Sequence, residues 1–228
     1  MDTIFNFGDP HKNFEPIAKK ILGKYSISQI PITNNKLFYN DKVQIVDACY
    51  GSSMVLDSLS MLKLIGKIKE KDNVIFVGSM GSLSGRIDLN DIVVPSEIYC
   101  NYFNYKGKVL NSSENLNKKM ISALNKNKIK FKQYKHGSAR AVFDPTTDHK
   151  GYSSSLYDKS VLGLDCCETY IGTIFCIENK INSATLLYCS DDPKKHISDL
   201  PKKEFDARAL KFDKLLNKWA YQILTEKI

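Results

Sequence analysis

Arginine is almost absent from this basic chain: only Arg86, Arg140 and Arg208 occur among its 33 lysines and arginines. The formal net charge of +8 therefore comes from lysines, which are spread along the chain without a basic tail or a tight cluster. An even distribution leaves only a weak electrostatic footprint for nucleic acid, so nucleic-acid binding is not expected. The same charge could steer phosphate or another small anion, and the planar guanidinium would suit bidentate binding of an oxyanion.

Long apolar runs and an export signal are also missing. The start MDTIFNFGDP has no basic segment followed by an apolar one, and no stretch approaches the length that spans a bilayer. We therefore expect a cytoplasmic protein with no membrane contact. The six cysteines lack the CxxC or Cys/His spacing of metal sites, so we expect no metal and reduced thiols, several of them buried; they are Cys49, Cys100, Cys166, Cys167, Cys176 and Cys189.

Apolar runs of strand length alternate with helical patterns along the 228 residues. This alternation favours an α/β fold, and the length predicts a single domain over 1–228. Helical spacing of apolar residues predicts helices over 14–23, 52–68, 114–127, 168–179 and 204–224. Strands are predicted over 43–49, 73–77, 92–94, 98–103, 131–134, 161–164 and 184–189.

Two glycine-containing segments follow predicted strands or precede helices, where α/β sheets usually bind ligands. Phe7-Gly8-Asp9-Pro10-His11-Lys12 resembles an anion nest ahead of the first helix, although a simple β-to-α turn would look the same. Residues 78–83, Gly-Ser-Met-Gly-Ser-Leu, form a predicted loop of small residues that lets a ligand approach closely. This loop has neither the GxGxxG dinucleotide pattern nor the P-loop pattern, so NAD and ATP are not expected.

Two carboxylates flank the helix and strand predicted near the carboxyl terminus. Glu168 opens the helix and Asp191 follows the strand, and one α/β unit can return both to the same sheet edge. Glu168 could equally be a first-turn partner of the helix dipole. Asp191, which precedes Asp192 and Pro193, could equally form a turn or cap a helix.

Together these motifs resemble the nucleoside phosphorylase and nucleosidase superfamily over nearly the whole chain. FGDPHKNFEPIAKKIL is similar to the phosphate-site segment of hexameric purine nucleoside phosphorylases, and IFVGSMGSLSGRIDLNDIVVPSEI is similar to their glycine-rich loop and the strand after it. DCCETYIGTIFCIENKINSATLLYCSD resembles the helix with the ribose glutamate and the strand that ends in Ser-Asp. The resemblance implies a single-domain, three-layer α/β/α fold around a twisted mixed sheet and a homo-oligomer, a dimer or hexamer.

The resemblance also implies a role for each matching position, with inorganic phosphate as co-substrate and no other cofactor. Asp191 would be the general acid that protonates the departing base. The other implied ligands are Gly8, Lys12 and Ser79 for phosphate, Glu168 with Cys167 for ribose, and Ser190 with Val142 or Phe143 for the base.

The sequence departs from the family pattern at two places. Phe76 stands where the phosphorylases usually carry a phosphate-binding arginine, and Cys166-Cys167-Glu168 replaces Glu-Met-Glu. We hypothesise that Arg140 supplies the missing phosphate cation, although it could also be an outward-facing surface residue. The expected function is cleavage of a purine nucleoside by phosphorolysis, with hydrolysis or nucleoside binding without turnover as alternatives.

Overall fold

One mixed sheet connects strands from both ends of the chain. The computed structural model describes residues 1–7, 14–47, 52–82, 87–100, 108–138, 161–165, 168–191 and 201–226. Within these ranges the sheet has ten strands. They are β1 (Asp2–Phe7), β2 (Ser26–Gln29), β3 (Lys36–Tyr39), β4 (Val43–Asp47), β5 (Asn73–Ser82), β6 (Ile92–Cys100), β7 (Lys108–Leu110), β8 (Lys132–Ser138), β9 (Val161–Asp165) and β10 (Asn182–Asp191).

Both parallel and antiparallel pairings hold this sheet together. Strands β4, β1, β5 and β10 run parallel in that order, and β3 and β2 extend the far edge as antiparallel strands. On the other side, β10 pairs with β6, β6 with β8, β8 with β9, and β9 returns to β5. These five strands therefore close a circle, while β1 to β4 form an open extension.

Helices cover both faces of the sheet and complete three layers. The described helices are α1 (Glu15–Leu22), α2 (Ser52–Leu64), α3 (Glu114–Lys126), α4 (Glu168–Glu178) and α5 (Lys202–Thr225). Successive strand residues point to opposite faces: Ile4 and Ile75 pack in one core with α1, α3 and α5, whereas Phe5 and Phe76 pack in a second core with α2 and α4. The predicted three-layer α/β/α fold with a mixed sheet is confirmed.

The sequence patterns predicted most elements correctly, but the prediction for the glycine-rich segment was wrong. Strand β5 continues through residues 78–82, which were predicted to be a loop. The segment remains extended because β10 and β9 pair with its two sides. Strand β6 is likewise one element of nine residues, although two short strands were predicted.

Helical periodicity predicts that the long terminal helix buries Leu210, Leu215, Leu216, Trp219 and Ile223, and the observed stripe is somewhat different. Leu216 and Ile223 are buried as expected, but Leu210, Leu215 and Trp219 are only partly buried. Phe212, Ala220 and Leu224 complete the buried face. Within the described ranges, no helix is both long enough and apolar enough to cross a membrane, and Cys176 and Cys189 are buried free thiols as predicted.

Candidate active site

The carboxyl ends of β5 and β10 bring the serine of the glycine-rich segment next to the Ser-Asp motif. Tyr188 of β10 is the register partner of Ser79 in β5, and Asp191 is the partner of Gly81. The register shifts between Cys189 and Asp191, so Ser190 lies in a β-bulge, a feature that often occurs beside active sites. Ser79 and the Ser190-Asp191 pair therefore lie near the carboxyl ends of neighbouring parallel strands, at one edge of the sheet.

Ser190 is fixed in this position by the neighbouring strand. Its side chain is buried, and its Oγ donates a hydrogen bond to the carbonyl oxygen of Met80 at 3.2 Å. Ser79 is only partly buried. The backbone of Asp191 is part of β10, but its side chain lies outside the described part of the chain.

Glu168 reaches the same edge through helix α4. The helix ends at Glu178, shortly before β10 begins at Asn182, which pairs with the first residue of β5. Helix α4 therefore runs back from the carboxyl edge, and Glu168 is its first residue there. The side chain of Glu168 is only 2% exposed. A buried carboxylate is costly unless partners compensate it, and the positive end of the helix dipole favours it here.

Strand β1 ends beside β5, on the side opposite to β10. Its last residue, Phe7, is the register partner of Gly78 in β5. Gly8 follows Phe7 in the sequence, but Gly8 and Lys12 lie outside the described residues, as do Arg140, Val142, Phe143 and Cys167. Their predicted roles remain predictions.

Phe76 is part of the protein core. Its ring is 0% exposed and lies 5.8 Å from the ring of Phe5 and 6.4 Å from that of Phe7, between centroids. Two glycines make room for this aromatic cluster. A Cβ added to Gly172 would lie 2.5 Å from Cζ of Phe76, and one added to Gly78 would lie 2.3 Å from the ring of Phe7.

The aromatic cluster explains why position 78 of the glycine-rich segment is a glycine. At Gly78 the close neighbour that excludes a side chain is Phe7, so protein packing accounts for this glycine without a ligand. The cluster also fills the space around position 76 with apolar rings, so β5 supplies no cation from this position to an anion.

Arg208 is a site neighbour that the sequence did not reveal. Helical periodicity assigned it to the terminal helix without a role, but its Nη2 donates to the carbonyl oxygens of Cys189 at 3.2 Å and Ser190 at 3.0 Å. The backbone N–H of Asn90 also donates to the Cys189 carbonyl. These bonds fix the backbone just before Asp191. Periodicity cannot show such a contact, because it does not say which strand end the helix meets.

Solved structures that are similar to this chain include a purine nucleoside phosphorylase and two nucleosidases. The chain is similar to Toxoplasma gondii purine nucleoside phosphorylase in complex with immucillin-H (TM-score 0.73, 14% identity, 96% of this chain and 89% of that one). It is similar to a proposed 5′-methylthioadenosine/S-adenosylhomocysteine nucleosidase of Borrelia burgdorferi bound to adenine (0.75, 18%, 98% and 100%). The Campylobacter jejuni nucleosidase of the same name is also similar (0.74, 11%, 98% and 98%).

These similarities concern structure. No protein-family model matches the sequence, and no curated protein does. At 11–18% identity the likeness establishes the fold, and the fold implied by the motifs is confirmed. The chain has the fold of the nucleoside phosphorylases and nucleosidases.

Proposed function

We propose that this protein cleaves the N-glycosidic bond of a purine nucleoside. The observation that carries the proposal is the meeting of Glu168, Ser190 and the end of β10 at Asp191 on one sheet edge. The neighbours with this fold include a purine nucleoside phosphorylase and nucleosidases, which supports a nucleoside as substrate.

Each residue type suits one part of this reaction. As the bond breaks, negative charge develops on the purine and the sugar approaches an oxocarbenium ion, so protonation of the base and a fixed ribose lower the barrier. In our proposal Asp191 protonates a purine ring nitrogen. Glu168 accepts hydrogen bonds from the ribose hydroxyls, with Cys167 beside it, and orients the sugar.

The base lies, in this proposal, between the end of β10 and residues 138–144, Ser-Ala-Arg-Ala-Val-Phe-Asp. Ser190 faces it, and Val142 or Phe143 packs on its plane. Arg208 is a positioning residue, because it holds the carbonyls that precede Asp191 and does not itself contact the substrate.

For the attacking group we propose inorganic phosphate, which gives free base and ribose 1-phosphate. Gly8, Ser79 and Lys12 bind the phosphate in this scheme. Arg140 supplies the bidentate guanidinium that Lys12 cannot offer. Arg140→Ala should then raise the KM for phosphate much more than the KM for the nucleoside. An unchanged phosphate dependence in the folded variant would remove Arg140 from the site.

Hydrolysis is the second candidate, and Phe76 is the observation that favours it. This ring is fully buried among Phe5, Phe7 and Gly172, so one cation of a typical phosphate site is missing. Water as the attacking group needs no such cation.

The identity of the sugar product separates these possibilities. Purified protein is incubated with inosine or adenosine, with phosphate or in phosphate-free buffer, and the sugar is identified by mass spectrometry. Ribose 1-phosphate that forms only with phosphate supports phosphorolysis, whereas free ribose at an equal rate in both buffers supports hydrolysis. Nucleoside binding without either product would contradict catalysis.

A further inference from the structure

A groove between α1 and α5 has the size and lining of a small-molecule site. It encloses about 410 Å³, within the range of about 300–1,000 Å³ typical of ligand pockets. Its apolar lining comes from Ile17 and Ile21 of α1 and from Leu215 and Tyr221 of α5. Ile17 is fully buried, whereas the other three are partly buried, so an apolar surface remains accessible on the outer side of the helix layer.

Four lysines surround this apolar surface. Lys20 comes from α1, and Lys211, Lys214 and Lys218 come from α5. All four are exposed, and among the described residues no aspartate or glutamate lines the groove. Among the described residues none of the four forms an ion pair. The groove therefore combines an apolar floor with an uncompensated positive rim.

The spacing on α5 concentrates this charge. Lys211, Lys214 and Lys218 are three and four residues apart, so they neighbour one another on one helix face. Like charges at these spacings destabilise a helix, and in the part of the chain that the structure describes no acidic side chain of the groove offsets them. Lys211 also lies over the ring of Phe212, with its Nζ 5.6 Å from the centroid. A bound anion would relieve the repulsion among these lysines.

We infer that this groove binds a small amphiphile with one apolar body and one anionic headgroup. The body lies on Ile17, Ile21, Leu215 and Tyr221, and the anionic headgroup contacts the lysine rim. The volume favours one small molecule over a macromolecular surface, which would need a more extended contact. The groove is formed by the outer surfaces of two helices, whereas the candidate active site lies at the carboxyl ends of β5 and β10.

Octyl phosphate, below its micelle concentration, is the probe for this inference. Titration calorimetry with the full chain should show saturable 1:1 binding that weakens as salt is raised, because salt screens exposed charges. Inorganic phosphate lacks the apolar body, and octyl glucoside lacks the charge. Each should bind about tenfold more weakly or worse, since each loses one of the two contributions. Because the proposed active site also binds phosphate, inorganic phosphate is titrated into a variant with Lys211→Gln, Lys214→Gln and Lys218→Gln as well, and only the binding that this variant loses is assigned to the groove. Groove binding of inorganic phosphate or octyl glucoside as tight as that of octyl phosphate would overturn the inference.

Two matched triple variants locate the site. Lys211→Gln, Lys214→Gln and Lys218→Gln together remove most of the rim. The control changes three exposed lysines elsewhere, Lys36, Lys42 and Lys126, and lowers the net charge equally.

We expect the groove variant to bind octyl phosphate about tenfold more weakly or worse, and the control to stay within about twofold of wild type, because long-range charge contributes little at moderate salt. Equal weakening in both variants would show that the net charge of the protein, and not the groove, accounts for binding, and would overturn the inference. The absence of saturable binding, or binding only to phosphatidate vesicles or to poly-glutamate, would also overturn it.

Discussion

Replacing Gly172 by alanine tests whether the Phe76 ring packs tightly against the backbone of helix α4. A new Cβ would lie 2.5 and 2.6 Å from two atoms of that ring, far inside normal contact distance. Overpacking a core costs about 1–3 kcal/mol, whereas glycine to alanine inside a helix returns up to about 1 kcal/mol. Because Phe76 is held by Phe5 and Phe7 and cannot easily move, we expect a net loss of about 1–2 kcal/mol.

Urea unfolding measures this loss as a lower midpoint at unchanged slope. Adding Phe76→Leu to Gly172→Ala should recover part of it, with a coupling energy of about 1 kcal/mol or more in the double-mutant cycle. Ser60→Ala, at an exposed site of α2, is the control and should change stability by less than about 0.5 kcal/mol. If Gly172→Ala is as stable as wild type or more stable, the reasoning about the aromatic cluster is refuted.

Three further predictions concern single side chains. Glu168→Gln should weaken the ribose interaction by about 1.5–3 kcal/mol, measured as a fall in kcat/KM. The control Glu178→Gln, at the exposed end of the same helix, should leave kcat/KM unchanged. Wild-type activity in Glu168→Gln would place the ribose elsewhere. Arg208→Met removes two hydrogen bonds at the end of β10 and should lower kcat without changing the phosphate KM; an unchanged kcat would show that the site does not need them. Burial raises the pKa of the Cys176 thiol from 9.0 to about 12, so the thiol ionises at lower pH in the unfolded chain than in the folded protein. The free energy of unfolding should therefore fall as pH rises between these values, by up to about 1.4 kcal/mol per pH unit. Cys176→Ala should lack this pH-dependent contribution, and a pH profile identical to that of wild type would contradict the shift.

The fold was predictable because its signals are local and repeated. Apolar periodicity placed α1, α3 and α4 within one or two residues of their observed ends. The edge strands β2 and β3 gave no such signal, since β2 is largely exposed and its pairing is set by β3, a contact that the sequence pattern does not encode.

The candidate site was only partly predictable, because local sequence patterns do not encode contacts between distant elements. The placement of Glu168 and Ser190 could be predicted because Glu168 opens a helix and Ser190 lies near the end of a strand, and the topology returns both to one edge. Their roles stay predictions. The glycine of position 78 suggested a ligand, whereas the structure shows the Phe7 ring against it. Arg208 was missed because its role depends on tertiary contacts with β10. Local patterns thus locate strand ends, but the residues that contact them across the sheet edge can be identified only from the three-dimensional fold.

We propose that the sheet edge at Asp191 carries out the cleavage of purine nucleosides. The most direct test compares free-base release from inosine, adenosine, guanosine and uridine in the presence of phosphate, followed by chromatography, for wild type and Asp191→Asn. We predict that wild type releases a purine base faster than uracil and that Asp191→Asn loses about 100-fold or more in kcat, the range for general acid catalysis. Faster release of uracil than of every purine base, or no base from any nucleoside, would contradict it.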